Sequence, residues 1–343
     1  MGFSPVSSSR KLTRIPEAIL AEALASPDPL ALRRIGKADV HCHGLLNAPL
    51  SAYEAVLGRR LPPPPPLFRD FAEFGGYLAA NLLPALRDFS HVRTLLTAGL
   101  ERMAEEGVVH AEVSIDLLLS ELLGVSPTEV ADLVGETKTA LAPRLHFAPE
   151  IGINRRLPIE RLRPAFDAYL ASGVFESVDL YDDERAGDLR DVLPLYQRAR
   201  DCGLMLKAHA GEICGPERIR ETLAILEVDA IQHGISAVQD PSLLEKLANR
   251  GTQLNIAVSS NVRLGIVGGY ENHPIRRLIK AGVNVALGTD DYTLFGNGLC
   301  DEIRRLHRAG MKPAELAKIW LGPPESERAA DRSVMKERRS GAR

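Results

Sequence analysis

Two residues that carry hydrolytic chemistry stand three positions apart near the middle of the chain, His209 and Glu212. They come at the end of the largely apolar run 204–208, so a metal ligand and a proton carrier follow a predicted β-strand. Other short apolar runs end in the same residue types, and these further candidates are His41, His43, His233, Asp290 and Asp291. Histidines and carboxylates at four strand ends are the pattern expected of a metal-dependent hydrolase.

The spacing of His41 and His43 favours a shared metal ion. Residues two apart on a strand point to the same side, so both imidazoles are expected to face the same space. His209 and Asp290, at two other strand ends, complete three nitrogens and one oxygen, a set that suits Zn²⁺ or a similar divalent ion. Such an ion lowers the pKa of bound water to about 7, which supplies a nucleophile without a serine or cysteine. A His-x-His pair by itself also occurs by chance.

Glu212, His233 and Asp291 are the candidates for proton transfer and for positioning the nucleophile. Glu212 is expected above the strand end, where it can carry a proton between solvent, substrate and leaving group. The alternative is a glutamate at a helix start, which the helix dipole favours. His233 can orient the nucleophile, although a single histidine is more often a core residue. Asp290 and Asp291 are adjacent, so on a strand their side chains would face opposite sides. At a strand end the chain can turn, so that one binds metal while the other accepts a hydrogen bond from substrate.

Eight short β-type runs predict the fold that positions these residues. Most are nearly continuous apolar stretches, as in parallel strands buried on both faces, and helical patterns lie between them. Ser126, Pro127 and Glu129, for example, predict a helix start with a capping box. The fold class is therefore α/β, a (β/α)₈ TIM barrel with its active site at the carboxyl ends of the strands. The predicted strands cover residues 38–43, 108–116, 145–154, 174–181, 204–210, 230–234, 253–259 and 283–289.

A long insertion, residues 45–89, follows the first predicted strand. Its proline run, 62–66, is interpreted as a stiff spacer. An aromatic series at helical spacing comes next and predicts either core packing or a lid over the substrate. The series consists of Phe68, Phe71, Phe74 and Tyr77.

Composition excludes several classes of protein. The chain has 343 residues and is 45% hydrophobic, which is enough for a sizeable core. A net charge of -3 leaves no basic field for nucleic acid, and no apolar run is long enough to cross a membrane. Four cysteines without C-x-x-C spacing argue against a disulfide framework and, with no signal peptide evident, favour the cytoplasm. We expect a single domain over residues 1–343, with a core at about 36–321 and flexible tails at 1–14 and 323–343.

Taken in order, these motifs resemble the adenosine deaminase family of the amidohydrolase superfamily. The similarity covers roughly residues 38–321, and its most specific motif is His209-Ala210-Gly211-Glu212. The other matching segments, in family order, are residues 41–43, 108–113, 178–180, 231–234, 259–261, 273–274 and 289–291.

The resemblance implies a zinc-dependent deaminase that converts a 6-aminopurine nucleoside, or a modified nucleoside, to the 6-oxopurine and ammonia. By this resemblance, Glu212 protonates the ring nitrogen next to the carbon under attack, His233 holds the attacking water, and Asp291 helps to steer it. The expected partner is a small-molecule purine, with no nucleic acid and no membrane. One Zn²⁺ per chain is implied, with the ligands His41, His43, His209 and Asp290.

Three positions depart from the adenosine-cleaving members of the family. Asn47 lies in the segment where those members have an acidic residue that holds a ribose hydroxyl. Asp182 stands where they have a glycine that approaches the purine, and Tyr292 replaces a proline. Asn47 and Asp182 are therefore predicted to contact an adenine-type ring with a different appendage at the sugar side. Aminodeoxyfutalosine and methylthioadenosine are candidate substrates, and deamination of free adenine is the alternative.

The adjacent arginines Arg155 and Arg156 end the third predicted strand. They predict a site for an acidic appendage of the substrate, with Arg155 as the candidate residue. The alternative is an ordinary pair of solvated loop residues.

Two other functions stay open at this point. Other amidohydrolase reactions commonly use two metals bridged by a carboxylated lysine from a central strand. The fourth predicted strand has no lysine, whereas Lys207, two residues before His209, can face inward. The second alternative is a barrel without catalytic activity, against which the complete set of ligands and the proton carrier argue.

Overall fold

The computed structural model describes residues 12–323 and is built around eight parallel strands. Strands that follow one another in the chain are neighbours in the sheet, from the first strand to the last. This order confirms the predicted (β/α)₈ barrel. The strands are β1 (Lys37–His43), β2 (Val108–Asp116), β3 (His146–Asn154), β4 (Ser177–Tyr181), β5 (Met205–Ala210), β6 (Ala230–His233), β7 (Gln253–Ile256) and β8 (Asn284–Leu287).

The barrel closes between β1 and the segment that follows β8. Thr289 N donates to His41 O at 3.0 Å, and His43 N donates to Asp290 O at 3.2 Å. Gly288 passes so close to β1 that a Cβ atom at this position would lie 2.6 Å from His41 Cβ. The closure therefore places Asp290 beside the two histidines of β1.

Helices lie between the strands, and local sequence determines where several of them begin. Glu129 N donates to Ser126 Oγ at 3.2 Å and Ser126 N donates to Glu129 Oε2 at 2.9 Å, which confirms the predicted capping box. None of the helices that the structure describes is long and apolar enough to span a bilayer. The helices are α1 (Glu17–Ala25), α2 (Leu50–Leu57), α3 (Phe71–Tyr77), α4 (Phe89–Glu105), α5 (Leu119–Leu123), α6 (Pro127–Leu141), α7 (Ile159–Ser172), α8 (Leu189–Asp201), α9 (Pro216–Ile225), α10 (Pro241–Arg250), α11 (Val258–Arg263), α12 (Ile275–Lys280), α13 (Tyr292–Phe295), α14 (Leu299–Arg308) and α15 (Pro313–Leu316).

The seventh strand is shorter than the sequence predicts. The predicted run covers residues 253–259, but β7 ends at Ile256 and α11 begins at Val258. Ser259 N, in the first turn of α11, donates to Glu302 Oε2 at 3.1 Å. A buried carboxyl group from α14, that of Glu302, therefore caps α11 and ends the extended backbone.

The segment 45–89, which the sequence predicts to be an insertion, contains α2, α3 and several short turns. Phe71 and Phe74 on α3 stack with ring centroids 5.4 Å apart, and Phe74 also stacks on Phe295 at 6.3 Å. Phe68 lies before α3, so the prediction of one helical series is wrong for this residue. It packs edge-on against Phe74 at 5.5 Å.

The described ends of the chain meet in a small second sheet. Thr13–Arg14 pairs antiparallel with Leu321–Gly322. The predicted amino-terminal tail, 1–14, is therefore too long at its inner end. The remaining parts of the predicted tails, residues 1–11 and 324–343, lie outside the described residues.

Candidate active site

The predicted metal ligands converge at the carboxyl end of the barrel. His41 and His43 come from β1, His209 comes from β5, and Asp290 follows β8. Nitrogen atoms of the three imidazoles lie within 4.8 Å of one another. Asp290 Oδ1 lies 3.5 Å from His41 Nε2 and 3.4 Å from His43 Nε2. The structure therefore brings all four predicted ligands together.

The donor atoms and their surroundings fit a divalent metal ion. His41 is fully buried, and neither of its ring nitrogens has a hydrogen-bond partner among the described residues. A buried polar group without a partner is costly, so these nitrogens indicate a ligand. His209 Nδ1 lies 3.2 Å from Asp179 Oδ1, the contact that orients the other ring nitrogen of a histidine ligand toward a metal. Three imidazoles and one carboxylate suit Zn²⁺.

Left-handed backbone marks two turns of the site. Asp290 has φ 60° and His233 has φ 62°, in a region that residues other than glycine seldom adopt. At Asp290 this turn interrupts the alternation of a strand, so the side chains of Asp290 and Asp291 both line the cavity above the barrel. Strained backbone of this kind clusters at functional sites.

Glu212 lies on the turn between β5 and α9. Because α9 begins only at Pro216, the interpretation of Glu212 as a helix-start residue is wrong. Asn261 Nδ2 donates to Glu212 Oε1 at 3.2 Å, and the same oxygen lies 3.4 Å from His233 Nδ1. Burial, with the charge of Asp290, raises the pKa of Glu212 well above its usual range. A carboxyl group protonated in this way can donate a proton to a bound molecule.

His233 and Asp291 face the same space. His233 Nε2 lies 3.9 Å from Asp290 Oδ2. Burial lowers the pKa of His233 well below its usual range, so the ring is neutral. Burial, followed by the charge of Asp290, raises the pKa of Asp291 well above its usual range.

Asn261 and His273 belong to the site, although the sequence alone predicts no role for either residue. Asn261 Nδ2 contacts both Glu212 Oε1 and His233 Nδ1, each at 3.2 Å. His273 Nε2 lies 3.2 Å from Asn261 Oδ1, so a hydrogen bond can fix the orientation of this amide. Both residues are in family-like segments, 259–261 and 273–274, and those segments were the signal that pointed to them.

A cavity of about 510 Å³ opens above the metal ligands. Its volume falls within the range of about 300–1,000 Å³ that is common for small-molecule sites. The insertion contributes α3 to one wall, so its aromatic residues do more than fill the core. The apolar part of its lining, here called the apolar wall, includes Leu46, Phe71, Phe74, Leu78 and Leu264. The charged part away from the metal ligands, here called the polar wall, includes Arg156, Asp182, Asp183 and Arg185.

Asp182 lines the cavity, and its contact with substrate stays a prediction. Its φ of 80° explains why glycine suits this position, since glycine adopts such a conformation with less strain. Asn154 Nδ2 donates to Asp182 Oδ2 at 2.9 Å, and Arg156 Nε lies 2.7 Å from Asp182 Oδ1. The carboxylate is therefore held at the cavity wall by its neighbours.

Asn47 does not reach the cavity, so the prediction that it contacts substrate is wrong. The residue is buried against α4, where its Oδ1 accepts from Arg102 Nη2 at 2.6 Å. Its Nδ2 lies 2.7 Å from Met103 Sδ. The preceding residue, Leu46, lines the cavity instead.

The prediction that Arg155 binds an acidic appendage of the substrate is also wrong. Only 5% of this residue is exposed, and its guanidinium donates to backbone carbonyl groups, among them His209 O at 2.6 Å. Arg155 is therefore not available to an acidic appendage. Arg156, the next residue, lines the polar wall of the cavity.

Comparison with known proteins identifies the family to which the chain belongs. The family described as adenosine deaminase matches residues 67–322. The chain belongs to the adenosine deaminase family. A protein of Treponema pallidum (strain Nichols) that carries the name adenosine/adenine deaminase is 30% identical, over 80% of this chain and 92% of its own length. As a member of this family, the chain is a deaminase, a hydrolase that acts on C–N bonds.

Solved structures of an adenine deaminase and of an amidohydrolase share the fold. The adenine deaminase of Arthrobacter aurescens gives a TM-score of 0.74 at 24% identity, covering 88% of this chain and 98% of that chain. An amidohydrolase of Burkholderia ambifaria with bound zinc gives a TM-score of 0.70 at 18% identity, covering 96% of this chain and 94% of that chain. Both likenesses support the TIM barrel of this family.

Proposed function

We propose that this protein is a zinc-dependent hydrolytic deaminase of a 6-aminopurine nucleoside or modified nucleoside, with the 6-oxopurine and ammonia as products. The observation that carries the proposal is the pairing of Glu212 with His233, at 3.4 Å, beside the metal-ligand cluster and under the cavity. A proton donor, a neutral imidazole and a metal site are the groups that hydrolytic deamination of a purine requires.

We propose one Zn²⁺ per chain. When bound, the ion would lower the pKa of water to about 7 and polarise the group under attack. A bridging lysine for a second metal has no counterpart on β4, and the buried Lys207 donates to Glu112 and Glu150 instead. Elemental analysis should find one zinc per chain, and two would contradict this part of the proposal. The ligands would be His41, His43, His209 and Asp290.

The residues around the ligands divide the chemistry among them. Glu212 donates its proton to the ring nitrogen next to the carbon that bears the amino group, which makes this carbon electrophilic. His233 takes a proton from the attacking water, and Asp291 orients that water by accepting a hydrogen bond. The water oxygen bonds to the ring carbon, and His233 passes the proton that it received to the amino group. The C–N bond then breaks and ammonia leaves, while the remaining hydroxyl proton returns to Glu212 as the 6-oxo group forms.

The cavity supports a substrate larger than a free base. The cavity has a volume of about 510 Å³, and Phe71 and Arg156 line it together with the metal ligands His43, His209 and Asp290. We propose that Asp182 and Arg156 contact an appendage at the sugar side of an adenine-type ring. Aminodeoxyfutalosine and methylthioadenosine are the candidate substrates.

Adenine deaminase activity is the second candidate. The Arthrobacter structure that shares the fold is an adenine deaminase, and the Treponema relative carries both substrate names. The size of the cavity argues for the nucleoside, and relative turnover of adenine and adenosine distinguishes the two functions.

The first prediction concerns ammonia release by the zinc-loaded protein. Adenosine, adenine, methylthioadenosine, aminodeoxyfutalosine and a cytosine nucleoside would be tested beside the Glu212→Gln variant. We expect turnover of a 6-aminopurine nucleoside and a loss of at least about 100-fold in the variant, because the glutamine has no proton to transfer. If none of the five compounds releases ammonia, with one zinc per chain verified, the proposed function is wrong.

We propose a reducing compartment, the cytoplasm, as the location. The four cysteines all lie in the described part of the chain, and each is a free thiol: Cys42, Cys202, Cys214 and Cys300. Unpaired cysteines are usual where thiols are kept reduced.

A further inference from the structure

Glu184 is a buried carboxylate that the proposed chemistry does not use. It lies between β4 and α8, and only 1% of the residue is exposed. Its side chain accepts hydrogen bonds from three consecutive backbone N–H groups across the barrel end. Gly211 N donates to Oε2 at 2.5 Å, while Glu212 N and Ile213 N donate to Oε1 at 2.7 Å and 3.0 Å.

The turn that carries Glu212 depends on partners of this kind. It lies between the end of β5 and the start of α9, where neither a strand ladder nor a helix satisfies its N–H groups. Gly211 has φ 76°, and a Cβ atom there would lie 2.4 Å from Ile219 Cδ1, so the backbone is closely confined. Hydrogen bonds to a carboxylate are about twice as strong as neutral ones. The Glu184 carboxylate therefore determines the course of this turn.

Arg155, which follows β3, donates hydrogen bonds to the end of β5 and to the loop after β4. Its Nη2 donates to His209 O at 2.6 Å and to Leu180 O at 3.4 Å, and its Nη1 donates to Glu184 O at 3.5 Å. The end of β5 and the loop after β4 are thus held together by one buried cation and one buried anion. Neither residue lines the cavity.

We propose that Glu184 is a positioning residue for Glu212. It fixes the turn so that the Glu212 side chain stays within reach of His233 Nδ1 and Asn261 Nδ2. Glu184 exchanges no proton with substrate and touches no reacting atom. The kinetic part of this inference rests on the proposed function, whereas the part about the turn does not.

Glu184→Gln tests the inference with little change in shape. An amide has only one acceptor oxygen, so at least one of the three N–H groups loses its partner. We expect faster amide hydrogen exchange confined to residues 211–213 and a fall in kcat of about tenfold or more, with KM changed less than about twofold. Zinc content should stay at one per chain.

Glu217→Gln is the matched control. Glu217 Oε1 also accepts a backbone hydrogen bond, from Gly215 N at 3.1 Å, but it does not line the cavity. This variant should retain the exchange rates at residues 211–213 and the kcat of the parent. If Glu184→Gln fails to fold, Glu184→Asp keeps the charge and should show the same pattern in weaker form.

Three outcomes decide the inference. Unchanged exchange at residues 211–213 in Glu184→Gln overturns it. Faster exchange with a parental kcat also overturns it, because Glu184 would then only stabilise the turn. If the parent protein deaminates nothing, the proposed function fails, and exchange alone decides whether Glu184 holds the turn.

Discussion

Arg155 and Arg156 are neighbours in the chain with opposite environments. Arg155 is buried and donates hydrogen bonds to backbone carbonyl groups. The Arg156 side chain is half exposed, and its Nε lies 2.7 Å from Asp182 Oδ1 at the cavity wall. A strand end causes this difference, because successive side chains there point to opposite sides. The two residues should therefore affect different measurable properties when each is replaced by alanine.

We expect Arg155→Ala to lower stability and Arg156→Ala to alter substrate preference. Loss of the Arg155 guanidinium leaves buried carbonyl groups unpaired, at a cost of about 3 kcal/mol in the free energy of unfolding. Arg156→Ala should raise KM about tenfold for a nucleoside with an acidic appendage and leave KM for adenosine unchanged. Denaturant unfolding and parallel kinetics on the two substrates measure these effects. Equal changes in KM for both substrates would contradict the role given to Arg156.

At the level of elements, α11 matters because it carries Asn261 to Glu212 and His233. Its first turn is held by α14: Glu302 accepts from Ser259 N, and Arg305 Nη1 donates to Ser259 Oγ at 2.7 Å. Burial raises the pKa of Glu302 to about 8, although the hydrogen bonds from Ser259 lower it. The cap of α11 is therefore a carboxyl group that keeps its proton at neutral pH.

The protonated cap predicts a pH dependence of stability. Between the ordinary value of 4.5 and about 8, Glu302 is ionised in the unfolded chain and protonated in the fold. The native state binds more protons, so the free energy of unfolding should fall as pH rises, by up to about 1.4 kcal/mol per pH unit. Glu302→Gln cannot ionise and should remove this contribution. Denaturant unfolding of the parent and of Glu302→Gln across about pH 5 to 8 measures how the free energy of unfolding of each protein depends on pH.

A control separates this effect from the titration of other groups. Glu101→Gln, at an exposed position of α4, should keep the slope of the parent protein. If Glu302→Gln has the same slope as the parent, Glu302 is already ionised in the fold, and the account of the cap is wrong.

Local signals made much of the fold and the metal cluster predictable from the sequence. Apolar runs marked the strands, and histidines at strand ends marked the ligands, because a barrel collects all its strand ends on one face. The errors at Asn47 and Arg155 concern the direction of a side chain beyond a strand end, which backbone torsion decides. The role of Glu184 could not be predicted from the sequence, because its hydrogen-bond partners lie 27 to 29 residues away and no local pattern encodes such contacts.

At the scale of the whole molecule, the proposed metal ion lies at the closure of the barrel. His41 and His43 belong to β1, and Asp290 follows β8, so an ion bound by all three would join the first and last strands. Backbone hydrogen bonds from Thr289 to His41 and from His43 to Asp290 join the same two parts of the chain, β1 and the segment after β8. Such an ion would stabilise the fold as well as act in catalysis.

The last prediction follows from this position. Because the unfolded chain cannot assemble the ligands, free zinc at about 100 times its Kd should stabilise the fold by about 2.7 kcal/mol. For a chain of this length the expected rise in Tm is about 4 °C, lost on chelation and restored by zinc. His41→Ala should abolish the rise, whereas His91→Ala, on α4 and away from the cluster, should retain it. A Tm unaffected by zinc, with one zinc bound per folded chain, would mean that the unfolded chain binds zinc as tightly as the fold, and the premise that only the barrel assembles the ligands would be wrong.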